Sequence, residues 1–221
     1  IAAPSANTSG RPSPTEAAHV AEDLSGKIAM IIDGGPVGIG IESTIIDLTE
    51  DTPMVLRPGY ITPQKLSKVL RKEVVIDPGI IAADDTRKPK APGMKYKHYA
   101  PKADMAIVDG TRKHVIAKIN ELVASHRDDG KKIAVIATEE TKQFYDADVV
   151  LSMGSRADED SIAHELYRIL RDCDELDVDV IFSESFSTPR IGQAIMNRML
   201  KAAGHQVIDT HVKYDKIIFV A

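Results

Sequence analysis

The chain has 221 residues, of which 43% are hydrophobic and 28% charged, with a formal net charge of -5; this is ordinary globular usage, and the mild acidity argues against nucleic-acid wrapping or membrane-surface binding as its main task. A single cysteine, Cys173, excludes an internal disulfide framework and a cysteine zinc cage, and fits a reducing cytoplasm. No apolar run approaches the roughly 18 residues of a membrane span, and the length suits two modest cores.

The opening Ile1-Ala2-Ala3-Pro4 carries neither an initiating Met nor a secretion signal, and it reads as the start of a fragment whose upstream part is missing. Ser13-Pro14-Thr15-Glu16 predicts a helix to about Leu24, with Ser13 as cap, Pro14 in the first turn and Glu16 closing a capping box. Ile28 to Asp33 is an apolar run that predicts a buried strand, followed by strands over Thr44 to Leu48 and Met54 to Leu56. Thr62-Pro63 starts a helix reaching Leu70, and Val74 to Ile76 predicts a short closing strand.

From Ile80 to Ala103 the regular pattern stops. Pro89, Pro92, Gly93 and Pro101 fall here, and between Arg87 and Lys102 there are six basic residues, the two tyrosines Tyr96 and Tyr99, and no acid. So long a stretch is a linker or a functional lid. Beyond it the rhythm is βαβα: strand Met105 to Val108, helix Arg112 to His126, strand Lys132 to Ala137, a weaker strand Val149 to Leu151, helix Ser161 to Cys173, strand Val178 to Phe182, helix Pro189 to Ala203 and strand Lys216 to Val220. Alternation of this kind predicts a Rossmann-like, doubly wound parallel sheet with helices on both faces.

Several clusters bear on chemistry, each with a plainer alternative. Pro4 to Gly10 crowds hydroxyls and an amide before a helix, as an anion site or as an ordinary turn. Gly34-Gly35-Pro36-Val37-Gly38-Ile39-Gly40 fails as a dinucleotide fingerprint because a strand, not a helix, follows it, and fails as a P-loop because no Lys-Ser or Lys-Thr follows Gly40; it is a flexible turn or a backbone close to a ligand. Ser43-Thr44 heads a strand with two hydroxyls, which are structural or face a cleft. Arg57 at a strand end suits a phosphate or a surface ion pair. No two histidines stand at metal-ligand spacing, so a metal held by protein alone is not expected.

In their order, these motifs resemble a known family. Ala3-Pro4-Ser5-Ala6-Asn7-Thr8-Ser9-Gly10, Ser13-Pro14-Thr15, Asp33-Gly34-Gly35 through Gly40, Glu42-Ser43-Thr44-Ile45-Ile46-Asp47 and Leu56-Arg57-Pro58-Gly59 resemble the second half of the YrdC/YwlC domain. Ala91-Pro92-Gly93-Met94-Lys95-Tyr96-Lys97-His98-Tyr99-Ala100-Pro101 and Arg190-Ile191-Gly192-Gln193-Ala194-Ile195-Met196-Asn197-Arg198 resemble the linker and carboxy-terminal domain of its long, two-domain members. The resemblance implies a partial YrdC-like α/β domain over 1–79, a linker over 80–103 and a Rossmann-like domain over 104–221. It implies synthesis of threonylcarbamoyl-AMP and pyrophosphate from ATP, L-threonine and bicarbonate, with Mg²⁺ brought by ATP, for modification of tRNA. It places Ser5, Asn7, Ser13, Arg57 and Tyr96 on ATP, and Ala3, largely through its backbone, and Ser43 on threonine.

No nucleophilic side chain is implied, and the product would pass to the tRNA threonylcarbamoyl transferase machinery. Because the amino-terminal half of the family's domain is not in the chain, the 221 residues on their own are expected to make little product. The alternative is a YrdC-like module binding double-stranded RNA or a nucleotide without synthase activity. The related carbamoyltransferase of hydrogenase maturation carries cysteine-rich zinc motifs, and one cysteine speaks against it.

Overall fold

The computed structural model describes residues 4–81, 99–186 and 190–211. Its strands form two sheets. The smaller has the order β1 (Ile45–Asp47), β2 (Met54–Arg57), β3 (Val75–Ile76), with β1 antiparallel and β3 parallel to β2. Helix α1 (Ala17–Leu24) precedes it, α2 (Pro63–Leu70) connects β2 to β3, and a single turn, α3 (Pro78–Ile81), follows. The Thr62-Pro63 signal is realised: Thr62 Oγ1 accepts the Lys65 amide at 3.3 Å and Pro63 opens the helix, where its missing N–H costs nothing.

The larger sheet has the order β6 (Val149–Ser152), β5 (Ile133–Ala137), β7 (Val180–Glu184), β4 (Asp104–Asp109), β8 (Val207–Asp209), every pairing parallel. A parallel sheet needs crossovers, and helices α4 (Arg112–Asp128), α5 (Glu159–Glu175) and α6 (Gly192–Ala202) supply them. The period-2 alternation of the strands divides the core. Ala106 and Val108 of β4 with Ile133 and Val135 of β5 meet Val115, Ile119 and Val123 of α4. Met105, Ile107, Ala134 and Ile136 point the other way, onto Leu166, Tyr167, Leu170, Ile195 and Met199 of α5 and α6. Both faces are therefore covered, as the doubly wound expectation requires, and each fully buried aliphatic contributes about 1.5–3 kcal/mol. Cys173 lies in this core, and burial, helped by Asp172 and Asp174, pushes its thiol up to about 12. It is a packing residue. Among the described residues no helix is long and apolar enough to cross a membrane.

Three expectations are corrected. The run Ile28 to Asp33 forms no strand, and Met30 and Ile32 are 75% and 86% exposed: among the described residues no neighbouring strand pairs with it, and an unpaired extended segment has no ladder to stabilise it. Helix α1 begins at Ala17, after an N-cap Glu16 without a side-chain cap bond; the capping box does not form because Ser13 is engaged elsewhere. Strand β8 lies at Val207–Asp209, where none was expected, and the predicted strand Lys216 to Val220 lies outside the described residues. So does most of the linker, but its end is fixed: Tyr99 is 2% exposed, its ring lies 5.0 Å from that of Tyr167, and its amide donates to Gly10 O at 2.9 Å.

Candidate functional site

The turn carrying Ser5 and Asn7 holds itself together. Asn7 N donates to Ser5 O at 3.0 Å, and Asn7 Nδ2 donates to Thr8 O at 2.9 Å and Arg11 O at 3.2 Å. Thr8 N donates to Asp23 Oδ2 on α1 at 3.0 Å. Ser5 is exposed. Asn7 is half-buried, with its amide folded into the turn and its Oδ1 buried without a hydrogen-bond partner among the described residues. A carbonyl oxygen so placed is an acceptor in want of a donor or a hard cation.

Ser13 leaves this turn toward the next segment, donating from Oγ to Glu42 Oε1 at 2.9 Å. Glu42 Oε2 accepts from the Tyr167 hydroxyl at 2.5 Å and from Arg198 Nε at 3.1 Å. Burial alone would raise the Glu42 carboxyl, but the Arg198 charge and the Tyr167 and Ser13 hydrogen bonds outweigh it and hold the group at about 2. Burial pushes the Tyr167 phenol well above its ordinary value, so it remains a donor.

Ser43 follows Glu42 and is exposed at the approach to β1. Opposite it, Arg57 ends β2 in register with Ile45 and donates from Nε and Nη2 to Ser43 O at 3.2 and 3.0 Å, so one edge of the guanidinium locks the strand while Nη1 remains for an anion. The corner is tight: a Cβ on Gly59 would fall 2.5 Å from Thr44 N and 2.6 Å from Glu42 O. Lys201 of α6, 4% exposed, donates to Asn197 Oδ1 at 3.0 Å; burial and then the Arg198 charge lower it to about 8, with Arg57 acting in the same sense. Arg57, Arg198 and Lys201 thus outnumber Glu42, a surplus of positive charge suited to an anionic ligand.

Of the residues expected at a site, Ser13 bonds to Glu42, Ser43 follows Glu42 in the chain and Arg57 bonds to the Ser43 carbonyl, and Ser5 and Asn7 lie on the turn leading into Ser13. Ala3 and Tyr96 lie outside the described residues. The glycine cluster resolves in part: Gly34, Gly35 and Gly38 face open space, whereas Gly40, at φ +78°, is so close to α5 that a Cβ would lie 2.4 Å from Ala163 O. Sequence reasoning missed the carboxy-terminal contribution. Arg171 of α5, 1% exposed, donates to Pro12 O at 2.6 Å and to both Asp23 oxygens at 3.0 and 3.2 Å. Arg198 of α6, wholly buried, reaches Glu42 and the Pro58 carbonyl. A signal was present: Arg171 continues the buried row Ala163–Tyr167 at four-residue spacing, and Arg198 lies four residues after buried Ala194, so both arginines occupy core-facing helix positions.

Comparison with known proteins gives a consistent result. Residues 61–204 match the family model described as threonylcarbamoyl-AMP synthase, C-terminal domain, and residues 1–59 match one described as telomere recombination. The chain is 48% identical over 208 residues to the threonylcarbamoyl-AMP synthase of Bacillus subtilis, covering 94% of this chain and 58% of the relative. It is 49% identical over 209 residues to that of Pyrococcus abyssi, covering 94% and 59%. The crystal structure of P. abyssi Sua5 complexed with L-threonine superposes with a TM-score of 0.85 at 47% identity, again over 94% of this chain and 59% of the other. The chain therefore spans somewhat under three-fifths of the length of these relatives. With one family model covering well over half of its residues and relatives near 48% identity along nearly all of it, the chain belongs to the threonylcarbamoyl-AMP synthase family.

Proposed function

We propose that the natural polypeptide makes threonylcarbamoyl-AMP and pyrophosphate from L-threonine, bicarbonate and ATP, with residues 1–79 in the catalytic domain, 80–103 as linker and 104–221 as the carboxy-terminal domain. The observation that carries this reading is one corner of the fold in which Ser13 is bonded to the half-buried carboxylate of Glu42 and Arg57 to the carbonyl of the adjoining Ser43, in a chain 47% identical to a relative crystallised with L-threonine. The threonine amine captures CO₂ derived from bicarbonate as a carbamate. A carbamate oxygen then attacks the α-phosphorus of ATP, the bond to the bridging oxygen breaks, and pyrophosphate leaves with its electron pair. No covalent enzyme intermediate is needed, so positioning and charge stabilisation carry the rate.

Ser43 meets threonine, with the backbone at Ala3 completing that pocket. Ser5, Asn7 and Ser13 meet ATP, Arg57 turns Nη1 to the phosphates, and Tyr96 closes on the nucleotide from the linker. The donors present suit Mg²⁺ only in part: Asn7 Oδ1 is an unpartnered oxygen but is enclosed within the turn, and the described residues hold no group of three or more His, Cys, Asp or Glu able to bind a metal. Mg²⁺ would come bound to the triphosphate, whose charge it neutralises. The product is a mixed anhydride prone to hydrolysis, so protection from water and prompt transfer to the tRNA threonylcarbamoyl transferase machinery follow from its chemistry.

Threonine-dependent exchange of pyrophosphate into ATP by the natural full-length polypeptide tests this reading. Exchange that requires threonine and bicarbonate is the expected result. Absence of exchange together with salt-sensitive binding of double-stranded RNA would replace it with the RNA-binding module.

A further inference from the structure

The geometry points to Arg198 and Arg171 of the carboxy-terminal domain as positioning residues that hold the Ser5–Ser13 turn and the Glu42–Ser43 corner in register with each other; the catalytic consequence, though not the geometry, rests on the reading above. Each guanidinium bridges two pieces of the site that are remote in sequence. Arg198 pairs with Glu42, adjacent to Ser43, and donates to the carbonyl of Pro58, adjacent to Arg57. It thereby fixes the entry to β1 against the exit from β2 where Gly59 leaves no room for a side chain. Glu42 in turn pins the Ser13 hydroxyl.

Arg171 does the same at the other end of the turn. It donates to Pro12 O and grips Asp23 through both carboxylate oxygens, and Asp23 accepts the Thr8 amide. Tyr99 adds a third anchor at Gly10 O. The turn is thus held at Thr8, Gly10, Pro12 and Ser13 by contacts that lead to α1, α5, α6 and the end of the linker.

Stability alone is a poor reason for this arrangement. A buried ion pair is often no better than well-packed apolar residues of the same volume, and here Arg198 Nη2 and Arg171 Nε are buried without partners among the described residues. What two charged forks offer over apolar packing is direction: they fix carbonyls and carboxylates to within a fraction of an ångström, the tolerance that catalysis by positioning demands. They also set the polarity of Ser13. With its proton committed to Glu42, Ser13 Oγ presents only lone pairs outward and suits a donor on the ligand, such as a nucleoside hydroxyl or an ammonium.

The test is the apolar pair Glu42→Leu with Arg198→Met in the natural full-length polypeptide, read by melting temperature, by amide hydrogen exchange, and by kcat and KM for threonine-dependent exchange. The expected result is a melting temperature within a few degrees of the parent, exchange of the Ser43–Thr44 amides accelerated at least tenfold, and kcat/KM reduced at least tenfold. Parent-like amide protection at these positions in the folded double variant overturns the proposal, and so does parent-like kcat/KM in an active enzyme. Should the double variant not fold, Arg198→Lys is the comparison, since one ammonium reaches Glu42 but cannot fork onto Pro58 O: loosened Ser43–Thr44 amides with a retained melting temperature support positioning, and unchanged protection rejects it. A parent protein without exchange activity would refute the proposed function, and the amide measurement would still decide whether Arg198 positions the Glu42–Ser43 corner.

Discussion

Replacing Arg171 by Met retains the length of the stem and removes the fork. The lost guanidinium is 1% exposed and leaves behind Asp23, whose side chain has no solvent exposure. Breaking a buried pair by deleting one partner costs about 3–5 kcal/mol, because the remaining charge is stranded. Asp23 is not left bare: Arg11 Nη1 stands at 2.8 Å and the Thr8 amide at 3.0 Å, which places the cost near the lower limit, about 3 kcal/mol. For a chain of this size that is roughly 6–12 °C in melting temperature. Calorimetry of Arg171→Met against the parent reads it directly, and adding Asp23→Leu should recover part of the loss, since the stranded charge goes with it while Arg11 and the Thr8 amide lose their acceptor. A loss below about 1 kcal/mol, or no recovery in the double variant, would refute the argument that the pair is desolvated and mutually dependent.

Two other perturbations follow from the same region. Lys201 titrates at about 8 against an ordinary 10.5, so below pH 8 the fold bears the cost of a buried charge, about 3 kcal/mol, and that cost fades between pH 8 and 10.5 as the folded protein sheds its proton first. Lys201→Met should therefore gain on the parent below pH 8, with that gain shrinking between pH 8 and 10.5 in denaturant titrations; a difference independent of pH would contradict this. At Gly59, alanine would drive a methyl into the backbone of Glu42, Ser43 and Thr44 at a cost of about 1–3 kcal/mol. Calorimetric titration of L-threonine into the full-length Gly59→Ala protein should show weakened binding, and unchanged affinity would detach Ser43 from the threonine pocket.

The carboxy-terminal α/β sheet was legible because its signals are local. Uninterrupted apolar runs such as Ile133–Ala137, buried on both faces, and amphipathic helices between them name a parallel sheet before any contact is known. The amino-terminal portion was less legible where local signals competed with distant ones. Ser13 has the right neighbours for a cap, yet a carboxylate 29 residues away takes its hydroxyl, and the strand-like run at Ile28 finds no partner among the described residues. The site itself was half legible. Ser13, Ser43 and Arg57 stood out as motif residues, but what joins them is Arg198, 156 residues from Glu42, and no window along the sequence reveals a pairing of that separation. An arginine on the buried stripe of a helix was the available clue.

A ligand-bound structure of the natural full-length polypeptide with ATP and L-threonine tests the account at its centre. The expected complex has threonine within hydrogen-bond reach of Ser43, the triphosphate against Arg57 and the Ser5–Ser13 turn, and Tyr96 over the nucleotide. Threonine and the triphosphate bound away from the Glu42 corner would contradict it.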